Sequence, residues 1–183
     1  MSRAGVRALI LGEDQAHQNF ARRVLLDLGF HHREIVLLPL VGARGAADQS
    51  VLRRYPDHVR AQRSRVKSQA VGLIVVIDAD AHTVRDRKSQ LDEKLAESGM
   101  ELRQPSEGIV AWVPKRNIET WLVQLEGGEA NEQDDYKHRV KTRNYRDQAR
   151  TFVRYYRDNE HHPPNLVPSM LDAFEETGRI PVS

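Results

Sequence analysis

Four short apolar runs interrupt a polar chain: Arg7–Leu11 (RALIL), Glu34–Leu38 (EIVLL), Gly72–Ile77 (GLIVVI) and Gly108–Val113 (GIVAWV). Each is short, nearly continuous and rich in Val, Ile and Leu, which predicts strands buried on both faces. The stretches between them change to helical spacing. Ala16, Phe20, Val24, Leu25 and Leu28 mark a helix over residues 15–28, with Gly29 as its stop. Pro39 closes the second strand, and the Gly-containing loop VGARGAAD follows. Asp48 is expected to cap a helix reaching about Arg54, and Pro56 to start another that reaches Gln69. Val84, Leu91 and Leu95 mark one side of a polar helix over 83–98. Further helices are expected at 118–125, 144–159 and 166–176. Strands alternating with helices predict an α/β fold: a parallel sheet of about four strands flanked by helices.

The chain has 183 residues, which suits one domain. We divide it into an α/β core over residues 1–127 and a C-terminal helical extension over 128–183 packed on the same domain. The net charge of +2 does not by itself mark a nucleic-acid binder. Its distribution is more telling. Residues 137–157 hold eight Lys or Arg against the single acid Asp147, while five acids lie between Glu126 and Asp135. Arg146, Arg150 and Arg154 recur at i, i+4 and i+8, so they share one helix face. With Tyr145, Tyr155 and Tyr156 interleaved, this segment is expected to contact nucleic acid. It is also able to dock an acidic partner or the chain's own acidic loop. Arg53, Arg54, Arg60, Arg63, Arg65 and Lys67 form a second basic stretch that reads equally well as a solvated face. Trp112 and Trp121 are expected in the core.

There is no cysteine, which excludes disulfides, thiolate nucleophiles and Cys-type zinc sites and fits a reducing cytoplasm. No apolar run approaches 18 residues and no signal-peptide pattern opens the chain, so a cytoplasmic protein without a membrane partner is expected.

The chemistry concentrates at strand ends. Glu13 and Asp14 follow the first strand, Asp78 and Asp80 the third, and Lys115, Arg116 and Glu119 the fourth. Open parallel sheets bind ligands beyond the carboxyl ends of their strands. Carboxylates converging there repel one another unless a cation lies between them. A hard divalent ion, Mg²⁺ or Mn²⁺, answers that need. Asp78 and Asp80 point to one side if the strand continues between them.

This order of motifs resembles the Toprim fold of topoisomerases, primases and nucleases of the overcoming-lysogenization-defect type. The segments that carry the resemblance are "LILGEDQAHQNF", "VVIDADAH" and "WVPKRNIETWL", within roughly residues 6–125. The last is similar to the P-x-x-x-I-E-x-W-L segment of small stand-alone Toprim-like proteins. The resemblance implies a Mg²⁺-dependent nuclease with Glu13, Asp78 and Asp80 on the metal. It implies Lys115 as a phosphate contact and Glu119 as an extra acid. It further implies a role in phage defence beside a partner ATPase. Arg116 joins Lys115 in neutralising phosphate charge. A homodimer is compatible with this reading. Two positions depart from the pattern. Asp14 stands where the family often has Gly. His17 stands where a second acid is common, and a lone His on a first helical turn reads as a surface residue.

Two other readings stay open. One is a catalytically degenerate Toprim-like module that binds an ATPase or RNA. The other is a receiver-like phosphoacceptor domain, which shares the acid pair, the Asp after strand three and the late Lys. The latter gives no role to Asp80 or to the basic segment. A haloacid-dehalogenase-type phosphatase fits less well, because its D-x-D lies on the first strand.

Overall fold

The computed structural model describes residues 7–41, 46–140, 144–158 and 161–181. The four apolar runs form β1 (Arg7–Gly12), β2 (Ile35–Leu37), β3 (Val71–Val76) and β4 (Ile109–Trp112). All neighbouring pairs are parallel, and the strand order is β2-β1-β3-β4. Six helices surround the sheet among the described residues: α1 (Gln15–Asp27), α2 (Ala47–Arg65), α3 (Val84–Glu97), α4 (Ile118–Leu125), α5 (Arg146–Arg157) and α6 (Pro168–Thr177). The α/β architecture expected from the periodicity is present. Residues 42–45 of the glycine-containing loop, and the basic residues Lys141 and Arg143, lie outside the described residues.

Strand alternation divides the core into two layers. Ala8 and Ile10 of β1 join Ile74, Val76, Val110 and Trp112 on the face covered by α1, α4, α5 and α6. Leu9 and Leu11 join Leu73, Val75, Ile109 and Ala111 on the face covered by α2 and α3. The first layer is aromatic. Phe152 of α5 meets Phe20 edge-on at 5.7 Å and Phe174 at 4.9 Å, and it lies 5.4 Å from Trp112. Trp112 and Trp121 are fully buried, as expected. Residues of α5 and α6 belong to this same core layer.

One expectation about helices fails. Pro56 does not begin a new helix; it lies inside the single helix α2. Val51, Leu52, Tyr55, Val59 and Gln62 form a continuous buried stripe across it. An interior proline costs about 3 kcal/mol, and sheet packing on both sides of Pro56 outweighs that cost. Nor does Asp48 cap α2. The cap is Ala46, and Asp48 lies in the first turn, where its charge suits the helix dipole.

The edge strand β4 is closed by α6. The Glu176 carboxylate accepts the Ala111 amide proton at 2.9 Å and binds Arg103 through two contacts of 2.6 and 3.0 Å. Trp112 Nε1 donates to Thr177 Oγ1 at 3.1 Å. Arg103 also donates to the Ile109 carbonyl at 3.2 Å, so two backbone groups of this edge, Ile109 C=O and Ala111 N–H, are satisfied and not offered to another chain. No helix among the described residues is long and apolar enough to cross a membrane.

Candidate metal centre

The strand order decides where the carboxylates meet. β1 and β3 are neighbours, with Gly12 paired to Val76. The chain leaves β1 through α1 on one face and leaves β3 through α3 on the other. The two connections diverge at this point, which is the usual position of a ligand crevice in such sheets. Glu13 and Asp78 meet there from the two strand ends. Glu13 Oε1 accepts the Asp78 amide proton at 2.7 Å, a bond between residues 65 positions apart.

The third member is His17. Asp14 is the N-cap of α1 and accepts the His17 amide proton at 3.0 Å. The same Asp14 oxygen lies 2.7 Å from His17 Nδ1, while Nε2 lies 2.9 Å from Asp78 Oδ1. His17 is only 2 % exposed and Asp78 only 5 %. The surface position expected for His17 is therefore corrected: it is a core group between two carboxylates. The sequence held a signal for this. His17 is three and seven residues before Phe20 and Val24, so it shares their buried face. Gly12 allows the close approach, since a Cβ there would stand 2.9 Å from Gln18 Cγ and 3.2 Å from His17 Cβ.

Glu13, His17 and Asp78 each offer one ligand atom, all within 4.8 Å of one another. Neighbouring ligands on an octahedron with bonds of about 2.1 Å stand about 3.0 Å apart, which matches the 2.9 Å between His17 Nε2 and Asp78 Oδ1. These residues form a group able to hold a metal ion. Asp80 is not part of it. β3 ends at Val76, and Asp80 takes a left-handed backbone, φ 53°, which breaks the extended register that would align it with Asp78. Its side chain is half exposed, 4.0 Å from Arg87. Its carbonyl accepts Lys115 Nζ at 3.1 Å. Thr83, paired with Asp86 in a capping box, caps α3.

Electrostatics tie the group together. Burial pushes the Glu13 carboxyl up to about 7; His17 opposes this, and Asp78 and Asp80 add to it. Burial also raises Asp78, again against the pull of His17. Burial alone would lower His17, but Asp78 and Asp14 outweigh it and hold the imidazole well above its ordinary value. Burial would raise Asp14, yet its hydrogen bond to His17 and the charge there hold it well below the usual carboxylate range. Glu119, on the first turn of α4, is raised by burial and by Asp78, with Lys137 opposing. Glu119 is therefore close enough to Asp78 and His17 to feel their charge. Arg116 lies half-buried beside Lys115, with its Nε unpaired.

These shifts predict how the metal-free protein responds to pH. Glu13 binds its proton more tightly folded than unfolded, so stability falls as pH rises from 4.5 through about 7. The raised His17 acts in the same direction, since its contribution is complete below about 6.5 and is lost as pH rises through the folded value. Asp14 acts oppositely, but only at acid pH. Metal-free protein should lose on the order of 2 kcal/mol between pH 5 and pH 8, and saturating Mn²⁺ should remove most of that loss. Thermal melts across this range check it; a metal-free midpoint that rises toward pH 8 contradicts it.

The basic segment divides: Lys137 acts on Glu119 beside the metal group, while the arginines of α5 form an exposed row. Arg146, Arg150, Arg154 and Arg157 are exposed on α5. Arg157 donates to the Asp27 carbonyl at the far end of α1, about 15 Å along that helix from His17. The interleaved tyrosines face inward: Tyr145 is buried in the core, and Tyr155 and Tyr156 pack against it. The acidic loop touches the segment at two points, Glu126 with Gln148 of α5 and Asp135 with the Lys137 amide, and otherwise bonds elsewhere. Glu132 takes the Ser169 amide, Asp134 bonds Asn131 and Asp135 also bonds Asn117. In the second basic stretch, Arg63 is paired with Glu107 at 2.7 Å and Arg60 with Asp57 at 2.8 Å.

Compared with protein-family models, with curated proteins and with solved structures, the chain matches none of them.

Proposed function

We propose that this chain is a Mg²⁺- or Mn²⁺-dependent nuclease that hydrolyses phosphodiesters in DNA or RNA. The observation that carries the reading is the meeting of Glu13, His17 and Asp78 at the carboxyl ends of β1 and β3, with Lys115 and Arg116 on the adjoining turn. The donor set of two carboxylates and one imidazole suits a divalent ion of this kind. When bound, such an ion neutralises phosphate charge and makes water more acidic. The chain's own residues supply the rest. Lys115, anchored on the Asp80 carbonyl, and Arg116 stabilise the charge that develops on the phosphoryl oxygens. Glu119, raised by burial, is equipped to carry a proton to the leaving oxygen. The half-exposed Asp80 holds the Lys115 turn through its backbone and adds negative charge at the rim. Asp78 is a poor phosphoacceptor, because it is buried and bonded to His17.

Purified protein should cleave single-stranded DNA or RNA with Mn²⁺ or Mg²⁺ and stop on chelation. Lys115→Met should reduce cleavage about 10²-fold or more. Saturable nucleic-acid binding without cleavage in either metal would replace the nuclease with a binding module.

The exposed arginines of α5 extend the proposal to substrate binding. Replacing Arg146, Arg150 and Arg154 together by Gln should flatten the log–log salt dependence of nucleic-acid affinity by about 2 to 3 units. The metal response should be unchanged. An unaltered slope would assign this helix face to a protein partner.

A further inference from the structure

We infer that His17 is a direct metal ligand through Nε2, oriented by Asp14, and that it makes this centre select Mn²⁺ over Mg²⁺. The inference rests on the metal-centre reading above, not on nuclease activity.

Its first support is the orientation of the ring. Asp14 Oδ1 takes both the His17 amide proton at 3.0 Å and Nδ1 at 2.7 Å. The cap therefore fixes the backbone and the imidazole together. With Nδ1–H given to Asp14, the other nitrogen is turned toward Asp78 Oδ1, 2.9 Å away, and so into the ligand group. A carboxylate that holds the outer ring nitrogen is the usual support for a ligating histidine. At 2 % exposure the ring is buried and does not face solvent. Gly12 admits α1's first turn to β1 closely enough for this placement.

The second support is the donor chemistry. Mg²⁺ favours oxygen ligands, holds a strict octahedron and gives up water reluctantly. Imidazole nitrogen suits first-row transition ions, while carboxylate also suits Mn²⁺. A site of one nitrogen and two carboxylates accordingly favours Mn²⁺. A sequence reading built on Glu13, Asp78 and Asp80 is an all-oxygen site and predicts no such bias. In the structure the left-handed turn at Asp80 separates it from the group, and His17 takes the third place.

The test uses the full chain, with Mn²⁺ alone and Mg²⁺ alone as probes. Calorimetric titration should give tighter binding of Mn²⁺ than of Mg²⁺. Pulsed electron paramagnetic resonance of the Mn²⁺ complex should show one directly coordinated nitrogen. His17→Gln, which offers an amide oxygen instead, should lose the nitrogen signal and reduce the Mn²⁺/Mg²⁺ preference by about ten-fold or more. Asp14→Asn should keep the nitrogen signal and weaken Mn²⁺ about 10- to 100-fold. A wild-type Mn²⁺ complex with only oxygen ligands overturns the inference, as does an unchanged preference in folded His17→Gln. If that variant fails to fold, the wild-type nitrogen signal decides alone. Nitrogen-ligated Mn²⁺ in a protein that cuts nothing leaves this inference standing and removes the nuclease. Metal-dependent cutting through an all-oxygen centre does the reverse.

Discussion

Asp78→Ala is expected to abolish divalent-metal binding, to reduce cleavage by about 10³-fold or more, and to destabilise the fold by about 2–3 kcal/mol. The first two effects follow from its place in the ligand group. The third depends on His17. Two aspartates one residue apart at the end of an apolar strand suggest mutual repulsion, which an alanine would relieve. The structure reverses that sign. His17 lies 2.9 Å from Asp78, with side-chain exposures of 3 % and 7 %. Removing the carboxylate takes the closest Nε2 partner from a buried imidazole, leaving Asp14 on Nδ1 and the charge of Glu13 nearby, and a buried group that loses a bonded partner is costly. Melts with and without Mn²⁺ read both effects. Wild-type protein should be stabilised by the ion through mass action, and the variant should start lower and not respond. A variant more stable than wild type at pH 7 would mean that His17 and Asp78 do not form this pair.

Glu176→Ala is expected to cost about 3–5 kcal/mol, more than any other single charged substitution considered for this chain. The carboxylate is 5 % exposed and joins three elements. It binds Arg103 through two contacts, Lys88 Nζ at 3.0 Å and the Ala111 amide at 2.9 Å. Its removal leaves a largely buried guanidinium without its carboxylate and opens the β4 edge. For a chain of this length the midpoint should fall about 10 °C. Removing Arg103 as well should restore part of the loss, because the stranded charge then disappears. A fall of less than about 1 kcal/mol would show that solvent replaces these bonds freely.

The four strands, their burial on both faces and the helices between them were legible from the sequence. Burial imposes a period on each element locally, and that period needs no knowledge of the neighbours. The positions of Glu13 and Asp78 were legible for the same reason, since each follows directly from the end of an apolar run. Pro56 reads as a helix start because local chemistry treats proline as a boundary. The stripe of Val51, Tyr55 and Val59 that holds the helix together through it is a tertiary contact with the sheet. Asp80 joins Asp78 on one side only where the backbone stays extended between them. The turn at Asp80 is closed locally by the His82 amide on the Ala79 carbonyl and is tied to the chain after β4 by the Ala79 amide on Pro114 and by Lys115.

The sequence by itself determined which segments are buried and which carboxylates stand at strand ends, because these are properties of a few consecutive residues. Only the tertiary structure decided that β1 lies beside β3, that His17 rather than Asp80 completes the group, and that Glu176 seals β4. The bonds concerned join residues 61 and 65 positions apart. Their geometry depends on strand order, parallel register and the angle at which α1 leaves Gly12, none of which a local pattern of apolar and polar residues encodes.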